Sequence, residues 1–373
     1  MSTGKMTKTN ETKTNEEMVA RGLADVVAVA TRLSKVDGRA GELIIGGYPV
    51  ERLAGERGFE AVAGLLWGTD LSSQEVQEEL GRLRVELFDR LEGSPAVRLS
   101  EPMDALRAGL AGLEASGELV EDALTVTAAV PVINALWWRQ QTGEAPFAPS
   151  ASRGHVADAI AMVVGEEVDP SVARAFEKYL VTVSDHGMNA STFTARVIAS
   201  TRSDLVSAVV GAVGALKGPL HGGAPGPVLD MLDEIGSPER AEEWIRAELA
   251  AGRRIMGMGH RVYRVRDPRA AVFEGALSEL SVTGETAARL EVARAVERTA
   301  ERVLAERYPE RNLKANVEFY TAVLLEAVGL PRELFTPAFA AGRILGWSAH
   351  VMEQAAEDRL IRPRSAYVGE IYG

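Results

Sequence analysis

Apolar and polar positions follow a helical period through most of the chain. Stretches rich in Ala, Leu, Glu and Arg dominate, and runs of alternating β-branched residues are few. Ser237-Pro238-Glu239 places a cap residue before a proline at the first helical position, which predicts a helix start, and Gly252 closes that helix. Asp267-Pro268-Arg269 and Thr336-Pro337 repeat the signal. Residues 123–138 are uncharged and contain Pro131, which predicts a buried pair of helices around the proline. A membrane span needs roughly 20 apolar residues, so no span is expected there. Residues 207–216 (SAVVGAVGAL) form a helix of small residues. Such a helix suits tight core packing or a subunit interface, and the two are compatible. Strand-like pieces are limited to residues 43–48 (LIIGGY) and the surroundings of Tyr367. The pattern has no βαβ alternation and no internal repeat, and predicts an all-α fold.

Composition narrows the partners. The 373 residues suffice for two domains or one large one, with 46% apolar and 25% charged residues as in ordinary soluble proteins. A net charge of −12 argues against nucleic acid. An anionic ligand must then be held by local arginine clusters. There is no cysteine, which excludes disulfides, thiolate metal sites and a cysteine nucleophile and fits a cytoplasmic protein. Residues 1–17 are polar without an apolar stretch, so a disordered tail is expected rather than a signal peptide.

Four segments carry the candidate chemistry. Ser184-Asp185-His186-Gly187-Met188-Asn189-Ala190-Ser191-Thr192-Phe193 crowds polar groups ahead of a helix; capping alone would also explain it. Lys217-Gly218-Pro219-Leu220-His221-Gly222-Gly223 sets one histidine in a Gly/Pro loop, where the glycines allow close backbone approach to a ligand; a helix stop bearing a surface histidine is the plainer reading. In residues 254–269 (RIMGMGHRVYRVRDPR), Arg269 falls in the first turn of a helix, where the macrodipole disfavours a cation. It needs an anion, either a ligand or a carboxylate elsewhere in the chain. Arg343 is the only permanently charged residue between 335 and 352, and shares a helix face with Phe339 and Trp347 at i, i+4 and i+8. A buried lone charge needs a partner, a carboxylate side chain or a bound anion. Several arginines with several histidines suit a small dicarboxylate in forked contacts and proton transfer or carbonyl polarisation. His186, His221 and His260 lack short metal-ligand spacing, so no metal site is expected.

Taken together, DHGMNASTFTAR, ALKGPLHGG, GHRVYRVRDPRA, NVEFY and LFTPAFAAGR with the following GW, AH, EQ and RLIRP resemble citrate synthases in order and separation. The opening TRLSKVDGRAGELIIGGYPVERLA resembles that family's first segment, and the likeness covers about residues 18–370. It implies an all-α, two-domain fold: a large domain of residues 18–221 and 323–373 and a small inserted domain of residues 222–322. It further implies condensation of acetyl-CoA with oxaloacetate and water to citrate and CoA. The coenzyme A thioester would be a co-substrate, with no permanently bound cofactor. His221 resembles the histidine that bonds the thioester oxygen, and His260 the donor to the oxaloacetate carbonyl. Glu318 occupies the place of the catalytic base, usually an Asp; its extra methylene could shift the carboxylate by ~1 Å. His186, Asn189, Arg269, Phe339 and Arg343 resemble the oxaloacetate-binding set. Arg362 resembles an arginine contributed across a homodimer interface. Arg254, Met256, Gly257, Gly259, Arg264 and Lys314 match the coenzyme A contacts. Gly187 stands where many members have Glu, and Ala224-Pro225-Gly226 where Ala-Asn-Glu is common. Alternatives are a 2-methylcitrate synthase using propionyl-CoA, or a catalytically silent paralogue that binds dicarboxylate or acyl-CoA. Neither nucleic acid nor membrane is an expected partner.

Overall fold

The computed structural model describes residues 20–23, 26–221, 225–259, 265–280, 284–311 and 313–371; the expected tail at residues 1–17 lies outside them. A small antiparallel sheet opens the fold, ordered β1 (Ser34–Asp37), β2 (Glu42–Ile45), β3 (Tyr48–Pro49). Leu43 opposes Val36, and Ile45 opposes both Ser34 and Tyr48. Gly46 and Gly47 both have positive φ, the backbone that a two-residue hairpin turn requires. The strand expected at residues 43–48 is therefore present. Tyr367 instead lies in an irregular exposed segment, with no neighbouring strand to pair with among the described residues.

Everything else regular is helical. The helices run α1 (Val50–Glu56), α2 (Phe59–Trp67), α3 (Ser73–Leu91), α4 (Pro102–Ala111), α5 (Leu119–Thr142), α6 (His155–Val164), α7 (Pro170–Thr182) and α8 (Ala190–Ala199). They continue as α9 (Leu205–Leu216), α10 (Pro225–Ile235), α11 (Ala241–Ala250), α12 (Pro268–Glu279), α13 (Gly284–Arg307), α14 (Val317–Ala327) and α15 (Phe335–Glu357). Local chemistry fixes several starts. Ser72 and Glu75 close a reciprocal capping box on α3, while Asp169, Asn189, Asp204 and Asp267 each accept a backbone N–H at the start of their helices. The start expected at Ser237 is a short 3-10 turn (Pro238–Arg240) leading into α11. At Thr336-Pro337 the helix already begins at Phe335, without a side-chain cap.

Helix α5 corrects the expectation of two helices around Pro131. It runs unbroken through the proline, and residues 126–137 are all buried. Burial on every side holds the helix together despite a cost of about 3 kcal/mol for an interior proline. By length and composition α5 could cross a membrane, but 78% of its apolar window is buried inside the protein. It is the central core helix, packed against α3, α4, α6 and α15.

Helix α15 lies across α8, α9, α2 and α7. A Cβ on Gly346 would overlap the Ser184 carbonyl, and one on Gly342 would lie 2.7 Å from Leu180 O. These two glycines bring the α15 backbone against the end of α7 and the turn that follows it. On the small-residue helix α9, a Cβ at Gly211 would overlap Ile198 of α8, whereas Gly214 faces open space. A second group joins α10, α11, α13 and α14, and α12 links α14 to α1 and α7.

Candidate active site

The turn between α7 and α8 holds His186, half-buried, and Asn189. Asn189 caps α8 through Oδ1, which accepts from Thr192 N at 3.1 Å and from Ser191 Oγ at 2.8 Å. The capping reading of this segment is correct, and the same cap orients Ser191. His221 Nε2 lies 2.8 Å from Ser191 Oγ, and Trp347 Nε1 donates to that oxygen from 3.1 Å. An indole can only donate, so the single Ser191 proton goes to Asn189 Oδ1 or to His221 Nε2. In the second setting His221 carries its proton on Nδ1 and can donate to a ligand oxygen. Burial, then the charge of Arg343, pull the His221 pKa below its ordinary value, so the ring is neutral at pH 7.

Arg343 is fully buried. Its Nε donates to Val183 O at 2.6 Å, and its guanidinium lies over the Phe339 ring at 4.6 Å. Among the described residues no carboxylate forms an ion pair with it, and burial lowers its pKa to about 10. Its electrostatic neighbours include Asp185, Arg269 and Tyr179. The Tyr179 hydroxyl is buried without a hydrogen-bond partner among the described residues, and burial raises its pKa. Two buried cations within each other's field, with spare hydrogen-bonding capacity beside them, suit a small dianion.

One anion beside Arg269 is its own helix cap. Nε and one terminal nitrogen fork onto Asp267 at 3.0 and 2.8 Å, and Asp267 Oδ1 also accepts the Arg269 amide. The residue two positions earlier thus offsets the unfavourable helix position, a partner that sequence reading did not name.

Glu318 sits in the first turn of α14, whose cap Asn316 accepts the Glu318 amide at 3.0 Å. Burial raises its pKa, opposed by Arg269 and reinforced by Asp267. A carboxyl poised above its usual range is suited to act as a general base. Asn316 also ties this helix to the 254–259 loop. Its Nδ2 donates to Gly259 O at 2.9 Å, its amide donates to Gly257 O at 2.9 Å, and Gly259 N donates to Lys314 O at 2.7 Å. Gly257 has positive φ, and a Cβ there would lie 2.9 Å from Phe319 Cβ.

That loop borders a cavity of about 490 Å³ lined by Arg253, Arg254, Met258, Gly259, Tyr308 and Arg311 among others. Of the expected coenzyme A contacts, Arg254 and Gly259 line it. Met256 and Gly257 do not, because Gly257 is turned onto Phe319, and Lys314 is paired with Glu301 at 2.8 Å. Arg253, paired with Glu248, and Arg311 also line the cavity, and sequence reading named neither. Arg362 is exposed. The neighbouring Ile361 N donates to Ser200 Oγ at the C-terminal end of α8, whereas Ser191 lies at its N-terminal end, so this chain's own Arg362 is not brought to its site. His260 and Arg264 lie outside the described residues. His155 stacks on Phe59 and faces Arg84 in the core, which leaves it no part in the site. Sequence reading missed Ser191 and Asp185. No local signal marks a contact across thirty positions, although both stand within the DHGMNAS segment.

Residues 22–364 match the family described as citrate synthase, C-terminal domain. A citrate synthase of Mycolicibacterium smegmatis is 37% identical, covering 97% of this chain and 98% of its own. A 2-methylcitrate synthase of Mycobacterium tuberculosis is 38% identical, covering 94% and 91%. The crystal structure of citrate synthase from Thermotoga maritima superposes with a TM-score of 0.81 at 37% identity, over 95% of this chain and 97% of that one. The structure of a ternary complex of carboxymethyl coenzyme A and oxaloacetate with citrate synthase from Thermoplasma acidophilum superposes with the same TM-score, 0.81, at 29% identity over 95% of this chain and 97% of that one. With site motifs in order and matches running nearly end to end, the chain belongs to the citrate synthase family.

Proposed function

We propose that this protein condenses acetyl-CoA with oxaloacetate and water, giving citrate and free coenzyme A. The observation that carries this reading is Arg343, a fully buried guanidinium stacked on Phe339, within the field of Arg269 and without a carboxylate partner among the described residues. Oxaloacetate supplies the negative charge that Arg343 lacks. His186 and Asn189 lie in the turn that follows Val183, whose carbonyl accepts from Arg343, and resemble the family's further oxaloacetate contacts. Neutral His221, held by Ser191, donates to the thioester oxygen while Glu318 removes a proton from the acyl α-carbon, giving an enol. His260, in its family role, donates to the oxaloacetate carbonyl as the enol attacks. Hydrolysis of citryl-CoA completes the reaction. The arginines of the 490 Å³ cavity suit the anionic nucleotide end of coenzyme A.

The large domain takes residues 18–221 and 323–373 and the small domain residues 222–322, with the return made within α14. Closure of the cleft between them would exclude water from the enol. Exposed Arg362, remote from its own chain's site, suits a homodimer in which it completes the partner's. The absence of cysteine supports a cytoplasmic setting.

Release of coenzyme A from acetyl-CoA and from propionyl-CoA, each with oxaloacetate, tests the reading. Release with acetyl-CoA is expected. Faster turnover of propionyl-CoA would transfer the assignment to 2-methylcitrate synthesis, a preference worth only roughly 1–3 kcal/mol per methylene. No release with either, despite oxaloacetate binding, would mark a silent paralogue.

A further inference from the structure

Five side chains and one backbone amide close a ring behind the His186 turn. Ser34 Oγ donates to Asp185 Oδ2 at 2.5 Å and accepts from Gly187 N at 2.8 Å. His350 Nε2 lies 3.2 Å from Asp185 Oδ1. An Arg196 terminal nitrogen lies 3.1 Å from His350 Nδ1 and donates to Glu353 Oε2 at 2.6 Å. Glu353 Oε1 accepts from Arg32 N at 3.0 Å, two residues before Ser34, and the ring is complete. Because a guanidinium can only donate, His350 Nδ1 is the acceptor and Nε2 carries the proton, which points at Asp185. Asp185, Arg196 and His350 are inaccessible to solvent. Burial pushes the Asp185 carboxyl up, but His350, Arg343 and Ser34 outweigh it and hold it ionised.

We propose that Ser34 is a positioning residue for oxaloacetate binding, and that the ring it closes fixes His186 in place. Ser34 is the one ring member that grips the chain on both sides of His186, through Asp185 and Gly187. It reaches the site from β1, far away in sequence and outside the motifs that mark the pocket. The same hairpin also meets the segment before α12: a Cβ on Gly41 would overlap the Val265 side chain and lie 3.5 Å from Arg266 O. A buried hydrogen-bonded network restrains what it encloses, and a side chain held by such a network loses little freedom on binding its ligand.

The inference rests on the reading of this pocket as an oxaloacetate site, and its test separates the two. Wild type, Ser34→Ala, Ser34→Thr and Glu353→Gln are compared by CoA-release kinetics, by oxaloacetate titration of tryptophan fluorescence, and by histidine NMR of the ligand-free proteins with His186 assigned through His186→Gln. In Ser34→Ala the oxaloacetate KM and Kd are expected to rise about tenfold, as for one lost hydrogen bond to a charged group. The acyl-CoA KM and kcat should change by less than about threefold, and the His186 resonance should move. Ser34→Thr keeps the hydroxyl and should recover most of the affinity. Glu353→Gln opens the ring on its far side and should shift Kd in the same direction by less, which keeps the test intact if Ser34→Ala folds poorly. An active wild type with unchanged Kd and an unmoved His186 signal in Ser34→Ala overturns the proposal, even if melting temperature falls. A wild type that neither binds oxaloacetate nor turns over overturns the functional reading instead.

Discussion

His221 Nε2 and Ser191 Oγ stand 2.8 Å apart, joining a loop after α9 to the first turn of α8. Ser191→Ala removes the partner that sets the His221 tautomer and leaves the Asn189 cap in place. We expect kcat to fall by about 10- to 100-fold with oxaloacetate KM changed by less than about threefold, since orientation acts on the chemical step. Steady-state kinetics with both substrates check this. A rise in KM at unchanged kcat would remove Ser191 from the chemistry.

The pH dependence follows from two opposite shifts. Glu318 is raised by burial and must be ionised to take a proton, so kcat/KM rises with pH through a value above the ordinary carboxylate range. His221 is lowered by burial and Arg343, so it is already neutral there and adds no limb near its usual value. Glu318→Gln should cost about 10²- to 10⁴-fold in kcat. Folding holds the Glu318 proton more tightly than the unfolded chain does, so wild-type stability falls as pH rises from the unfolded to the folded pKa. The Gln variant should therefore be at least as stable as wild type at pH 7, with the gap closing in acid. A pH series of denaturant melts tests the sign.

Arg343 sets binding against stability. Arg343→Met keeps much of the volume and removes a buried charge that no carboxylate among the described residues pairs with. Oxaloacetate affinity should fall by at least about 100-fold, while the ligand-free protein gains about 1 kcal/mol or more. Titration calorimetry and urea melts measure the two. A loss of stability would mean that the guanidinium supports the fold more than it awaits an anion.

Gly346 and Gly214 make a matched pair. Gly346→Ala would drive a methyl into Ser184 O and to 2.8 Å from Asp185 Oδ1, costing about 1–3 kcal/mol and raising oxaloacetate KM. Gly214→Ala enters open space in this chain and should gain up to about 1 kcal/mol from helix propensity. If Gly214→Ala instead weakens a dimer in sedimentation runs, α9 forms the subunit interface.

Mixing subunits tests Arg362. Arg362→Ala and His221→Ala should each be nearly inactive, and re-associated mixtures should regain about a quarter of the sites, since half the dimers are mixed and each of those has one intact site. No recovery would place Arg362 outside the partner's pocket.

Much of this was legible in the chain. LIIGGY marked the strand, though not the hairpin turn at its Gly-Gly pair, and the Phe339, Arg343, Trp347 spacing marked a helix face. Arg343 stood out because so long an apolar stretch holds a single charge. The Asp267–Arg269 fork is hidden in the sequence because a helix-start aspartate signals a backbone cap, although a carboxylate accepts several donors at once. Pro131 misled because local propensity outvotes packing only where packing is weak, and α5 is buried throughout. Ser34, Asp185 and Ser191 act through partners 151, 165 and 30 positions away, separations that no local pattern encodes.

Helix α15 carries Phe339, Arg343, Trp347, His350 and Glu353 on one unbroken rod. A single residue inserted or deleted within it would turn everything beyond that point by about 100° and slide it about 1.5 Å. An insertion after Arg343 would swing Trp347 off Ser191 and His350 off Asp185 in one event, while Arg343 stayed on Phe339. Substitutions can alter this pocket one contact at a time, but a length change there removes several at once. Drift in chain length over evolution should therefore collect in the connections between helices and spare residues 339–353.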